Sequence, residues 1–141
     1  MNIFVAFLFA SLYQVGAPFS AECSGPTRFC EAQADFEEAE VSLDQVIARA
    51  KSAAEAERQA FAEWVKEGNT STFETDKVEA FAEAQKAWHA SMQADCILVA
   101  ARYRRSGMST TPHTEYIRCE TERMREREQF LRNRYDLALT D

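Results

Sequence analysis

The chain has 141 residues, 46% of them hydrophobic and 28% charged, with 16 Lys and Arg against 23 Asp and Glu for a net charge of -7. That length supports one modest core, since domains most often run about 100 to 200 residues. The acidic balance argues against nucleic acid, whose binders neutralise phosphates with Lys and Arg, and leaves basic proteins as the partners that charge favours.

Residues 1–21 (MNIFVAFLFASLYQVGAPFSA) carry no ionisable side chain except Tyr13, and Ile3 to Tyr13 is an apolar run of the length of a signal-peptide core. This stretch reads as a secretory signal peptide cut after Ala21, leaving a domain over 22–141. Phe19 is bulky for the third position before a cut, and the leader has no Lys or Arg at its start, which points to a start codon upstream of Met1. Glu22 separates the expected cut from Cys23, against a lipidated cysteine. Past the leader no run approaches the roughly 18 apolar residues of a membrane span, so the expected location is periplasmic or secreted, without stable membrane insertion after cleavage.

Four cysteines stand at 23, 30, 96 and 119, all beyond the leader. In an exported chain an even number implies disulfides. Zinc is disfavoured because no close Cys pair and no His at finger-like spacing accompanies them. Of three pairings, Cys23 with Cys30 and Cys96 with Cys119 are favoured, because each closes a segment with its own chain reversal: Gly25-Pro26 in the first, Gly107 and Pro112 in the second.

Only four glycines and three prolines occur, and no proline lies between Pro26 and Pro112. A sandwich or barrel needs turn signals every 8 to 12 residues, so the depletion favours helix. The fold expected is all-α: an antiparallel bundle of about three long helices with two disulfides. The first helix is expected over Glu31 to Glu67. Phe36, Ala39, Leu43, Val46, Ile47, Ala50, Ala54, Phe61, Trp64 and Val65 step mostly by three or four and give it one apolar face. Gly68-Asn69 supplies a stop, and Ser71 with Glu74 has the spacing of a capping box, predicting a second helix over Thr72 to Arg105. Its apolar positions are Val78, Phe81, Ala82, Trp88, Met92, Cys96, Val99, Ala100 and Tyr103. The third, Thr114 to Ala138, is less evenly patterned through Tyr116, Ile117, Met124, Phe130, Leu131, Tyr135 and Leu137. Short joints imply antiparallel neighbours. The aromatics Phe61, Trp64, Phe81 and Trp88 are read as core rather than a ligand pocket.

Charge is concentrated in the first helix, where residues 31–67 hold ten acids and four bases. Glu31, Asp35, Glu37 and Glu38 suit a helix N-terminus, yet the excess is larger than capping requires and marks a candidate docking ridge. In the third helix Arg123, Arg125 and Arg127 interleave with Glu122, Glu126 and Glu128, a pattern of a solvated face or of one that meets a second copy. No phosphate loop, His-Glu-x-x-His or Gly-x-Ser-x-Gly occurs, and the two histidines, His89 and His113, lack an identifiable partner set. Neither an enzyme nor a cofactor is expected.

Ala84-Gln85-Lys86-Ala87-Trp88, Cys96 eight positions after Trp88, Gly107-Met108-Ser109, then Cys119, Arg127 and Leu131 together resemble the LprI type of lysozyme inhibitor, with Cys23 and Cys30 resembling that family's leading pair. The likeness runs from Cys23 to about Leu131. Met92-Gln93 stands where many members carry Arg-Asp, and Met124 where Thr is frequent. The resemblance implies a helical, disulfide-bonded envelope protein, with lysozyme inhibition the activity reported for some members. A c-type lysozyme, strongly basic, would be a fitting partner. The loop Ser106 to Thr114, with Met108, Ser109 and Thr110 as possible contacts and the Cys96 to Cys119 bridge at its base, is the candidate element for insertion into a cleft. The competing expectation is an envelope interaction or stress-protection module without lysozyme activity.

Overall fold

In a computed structural model the described residues are 23–71, 76–103 and 111–137, and among them the regular structure is three helices: α1 (Thr27–Lys66), α2 (Lys77–Ala101) and α3 (Thr111–Tyr135). The expected leader and the Gly107 to Thr110 connector lie outside the described residues. None of the described helices is long and apolar enough to cross a membrane.

Each helix end has a local cause. α1 starts four residues earlier than its periodicity suggests. Pro26, with φ -58°, turns the chain into the helix, and its carbonyl accepts from the amides of Phe29 (2.8 Å) and Cys30 (3.1 Å). At the other end Gly68 takes φ +88°, a conformation open to glycine, and its amide donates to Val65 O. The Asn69 side chain donates to Trp64 O at 2.8 Å, so the Gly-Asn stop acts as read.

The start expected for α2 at Thr72 is corrected: Asp76, not Ser71, is the N-cap, and its Oδ1 accepts from the amides of Val78 (2.8 Å) and Glu79 (3.0 Å). The amide of Glu79, then that of Val78, and the nearby Arg58 hold the Asp76 carboxyl below its usual range. α2 closes at Ala101 rather than Arg105. α3 begins at Thr111, ahead of the expected Thr114, because the first turn tolerates Pro112, whose missing amide would have had no helical partner. It stops at Tyr135, before the expected Ala138. Asp136 adopts φ +51°, and Leu137 N donates back to Arg132 O at 3.0 Å. That is a Schellman ending with aspartate in the place glycine prefers.

Cross-helix contacts set the direction of each element. Glu57 on α1 meets Lys77 at the start of α2 and Arg134 at the end of α3, while Phe29 stacks on His113 at the opposite end with ring centres 5.4 Å apart. The bundle therefore runs up, down, up, with both sequential pairs antiparallel and α1 beside α3 parallel. α1 and α3 share the most extensive seam. On α1 it is lined by Ala32, Ala39, Leu43, Val46, Ala50 and Ala54, whose many small side chains permit close approach. Ile117, Met124 and Leu131 face them at seven-residue intervals on α3, and Phe81, Met92 and Cys96 come in from α2.

At 1.5 Å per residue, α1 spans about 60 Å against about 38 Å for each partner. Its last turns consequently outrun the bundle. The reading of the aromatics as core holds for Phe81, which is buried, and for Trp88, which is half-buried against the core, and is corrected for Phe61, which is half-buried, and Trp64, which is exposed along with Val65. Phe61 and Trp64 stack on each other, 5.7 Å between ring centres.

Both favoured disulfides are present. Cys23–Cys30 ties the segment before α1 to its first turn with Cα atoms 5.6 Å apart, and Cys96–Cys119 joins α2 to α3 with Cα atoms 5.5 Å apart. Cys96 is fully buried and belongs to the core.

Candidate functional site

The seven-residue step that puts Met124 and Leu131 in the core places Arg127 at the edge of the α3 stripe, facing α2. There its Nε donates to the Gln85 side-chain oxygen at 2.7 Å, and its Nη2 donates to the same oxygen. The guanidinium carbon lies 5.6 Å from the Trp88 ring centre and 5.0 Å from that of Phe130. A cation held between two aromatic faces and an amide oxygen is stabilised without an acid. Burial pushes the Arg127 pKa below its ordinary value, with nearby Tyr135 opposing. No carboxylate pairs with Arg127 among the described residues.

Thus four residues singled out in the sequence, Gln85 and Trp88 from α2 and Arg127 and Leu131 from α3, meet along one seam, with Leu131 buried beneath. Cys96–Cys119 clamps the same two helices nearer their other ends. The solvated-face reading of α3 holds for Glu122, Arg123, Arg125 and Glu126, which are exposed, and fails for Arg127 and Glu128. Arg127 is half-buried, and Arg132 bonds Glu128 at 2.8 Å with 12% and 18% of the two side chains exposed. Arg123 does fit an exposed face: it donates to Glu126 at 3.0 Å and lies 3.7 Å from Asp95.

Glu57 gathers a second charged group near the same seam, accepting from Lys77 at 3.1 Å and from Arg134 at 3.4 Å. Its carboxyl is held below the ordinary value, first by the Lys77 hydrogen bond, against the opposing effect of burial. Sequence reasoning missed Glu57, Lys77 and Arg134 as a group. They belong to three helices, and only the packed bundle brings them together.

The acidic positions of α1 lie some distance away, toward its N-terminus. Glu31, Asp35, Glu37 and Glu38 are all exposed, and helical geometry puts Glu31, Asp35 and Glu38 on one side. Glu37 lies round the helix and accepts from Gln33 Nε2 at 3.0 Å. Asp35 also borders a groove with Arg118, Glu122, Arg125 and Glu126 of α3, so this flank of the ridge carries both signs of charge. Met108, Ser109, Thr110 and Gly107 lie outside the described residues. Met92 is buried in the core, while the neighbouring Gln93 is exposed.

Tyr116 and Glu120 form a polar contact at the other end of the α1–α3 seam. The phenol donates to Glu120 Oε1 at 2.7 Å, and this bond, with burial and the carboxylate charge, pushes the Tyr116 pKa up to about 12.

The chain is thus an up-down-up helical bundle, stapled between its second and third helices and braced by a Gln–Arg–Trp cluster. Residues 23–131 match the family described as lysozyme inhibitor LprI, and the chain belongs to that family. No curated protein and no solved structure matches it significantly.

Proposed function

We propose that the mature protein, freed of residues 1–21 by signal cleavage, works in the periplasm or outside the cell as an inhibitor of a lysozyme-type muramidase, and that it acts by occluding the enzyme's cleft. The observation that carries this reading is the family match over 23–131. Charge supports it: c-type lysozymes are strongly basic, and a chain of net charge -7 is steered toward such a partner, which raises the association rate more than the final affinity. Steering does not block a cleft. The inserting element in this proposal is the connector carrying Met108, Ser109 and Thr110, with Cys96–Cys119 holding the two helices that it joins. Glu31, Asp35, Glu37 and Glu38 supply the acidic ridge that meets the basic partner.

The test is the rate at which a c-type lysozyme clears a cell-wall suspension as mature protein is titrated in. The expected result is a saturable slowing within the micromolar range that weakens with added salt. An unchanged rate throughout that range refutes the proposal. Inhibition that survives replacement of Met108, Ser109 and Thr110 by glycine refutes the assignment of the connector.

A further inference from the structure

Where α1 outruns the bundle, its last turns, the start of α2 and the end of α3 enclose a groove of about 400 Å³. This volume lies within the range of about 300 to 1,000 Å³ usual for small-molecule sites. Phe81 and Leu131 form an apolar floor, Tyr135 packs edge-on against Phe81 at 6.0 Å, and Phe61 and Phe130 make the walls. The opening is widened where α2 presents only the methyl groups of Ala80 and Ala84, both exposed, beside Lys77 and Phe81.

The rim has the opposite charge to the molecule as a whole. Lys77, Arg127 and Arg134 border it with a single acid, Glu57, in a chain whose net charge is -7. Glu57 already accepts from Lys77 and Arg134. Arg127 spends Nε and Nη2 on the neutral Gln85 oxygen, and no acceptor for its Nη1 stands among the described residues. A half-buried guanidinium that lacks a carboxylate, set beside an apolar trough, offers a charge-assisted, two-pronged grip on a carboxylate. A purely apolar ligand would gain nothing from it.

We infer that this groove is a binding site for a monoanionic amphiphile, a carboxylate with an aliphatic or aromatic body, whose carboxylate accepts from Arg127 while the body lies on Phe81, Leu131 and Phe130. The groove uses none of the residues assigned to the connector or the acidic ridge, so it stands or falls independently of lysozyme inhibition.

The test is calorimetric titration of the mature, oxidised protein with decanoate below its micellar concentration and, in parallel, with the uncharged decanol. Expected are one saturable site for decanoate and at least about tenfold weaker binding of decanol. Arg127→Met, which keeps the apolar stem but removes the donors, should weaken decanoate about tenfold or more. Ala84→Trp fills the trough from an exposed position, leaving Arg127 and the core in place, and should abolish binding while the helical circular dichroism is unchanged. If Arg127→Met fails to fold, the decanol comparison and Ala84→Trp decide. Absence of saturable decanoate binding, equal affinity for decanol, or unchanged affinity in a folded Arg127→Met or Ala84→Trp protein overturns the inference.

Discussion

Replacing Cys96 and Cys119 together by alanine removes the disulfide cross-link between α2 and α3 and tests how far the bundle depends on it. The two residues are 23 apart in sequence. In the loop-entropy treatment, opening a closed segment of that size costs about 3.4 kcal/mol of stability, a large share of the roughly 5 to 15 kcal/mol typical of a domain. Alanine is the appropriate replacement because Cys96 is fully buried, and serine would leave a hydroxyl there in search of a partner. Cys23–Cys30 provides the contrast. It closes a short segment at the exposed start of α1, which frays once the bridge is removed, so the native state recovers much of the same freedom as the unfolded chain. Urea unfolding should therefore show a loss of about 3 kcal/mol for Cys96→Ala/Cys119→Ala, with a fall in Tm of about 10 °C or more. Cys23→Ala/Cys30→Ala should lose less than about 1.5 kcal/mol on the same reasoning. Equal losses for the two pairs, or a loss below about 1 kcal/mol at the inter-helix bridge, would refute this reasoning.

Other perturbations follow from single contacts. Gln85→Ala strips the half-buried Arg127 of the oxygen that accepts its Nε and Nη2, and chemical denaturation should report a loss of about 1 to 2 kcal/mol. Asp136→Gly relieves the left-handed turn that ends α3 and should stabilise by about 0.5 to 1 kcal/mol, read as a rise in Tm; a fall would show that the aspartate side chain has a role of its own. Tyr116 has a native pKa raised to about 12 from an unfolded value near 10. The stability it contributes is therefore complete below pH 10 and is lost as pH climbs through 12. Denaturant midpoints of the wild type should drop more steeply over that window than those of Tyr116→Phe, and the variant should lack the tyrosinate absorbance step near pH 12.

Much of the fold was legible in the chain because it rests on local patterns. The three-and-four stepping from Ala39 to Ala54 anticipates the buried face of α1, and the scarcity of Gly and Pro anticipates an all-helical bundle. Chain reversals at Gly25-Pro26 and between Cys96 and Cys119 anticipate both bridges. The errors arose where one local pattern competed with another or where partner length decided the outcome. Ser71 and Glu74 offered a capping box, yet Asp76 two residues before Val78 accepts the amides that begin α2. Phe61 and Trp64 continue the apolar rhythm of α1, but none of the described helices extends far enough to cover them, and periodicity carries no information about that. In the candidate site, Gln85, Trp88 and Arg127 were identifiable from the family pattern. Their convergence across 42 residues of sequence, and the lack of a carboxylate paired with Arg127 among the described residues, emerge only once α2 and α3 pack. Glu57, Lys77 and Arg134 had no sequence signal, since each reads singly as a solvated surface charge.

The most direct test of the central claim compares native protein with protein reduced and alkylated at all four cysteines, each added to a c-type lysozyme acting on a cell-wall suspension. The oxidised bundle is expected to slow turnover and the alkylated chain is not, because the proposed occlusion requires α2 and α3 to be held together. Turnover unaffected by micromolar native protein, or slowed equally by the alkylated chain, would contradict that claim.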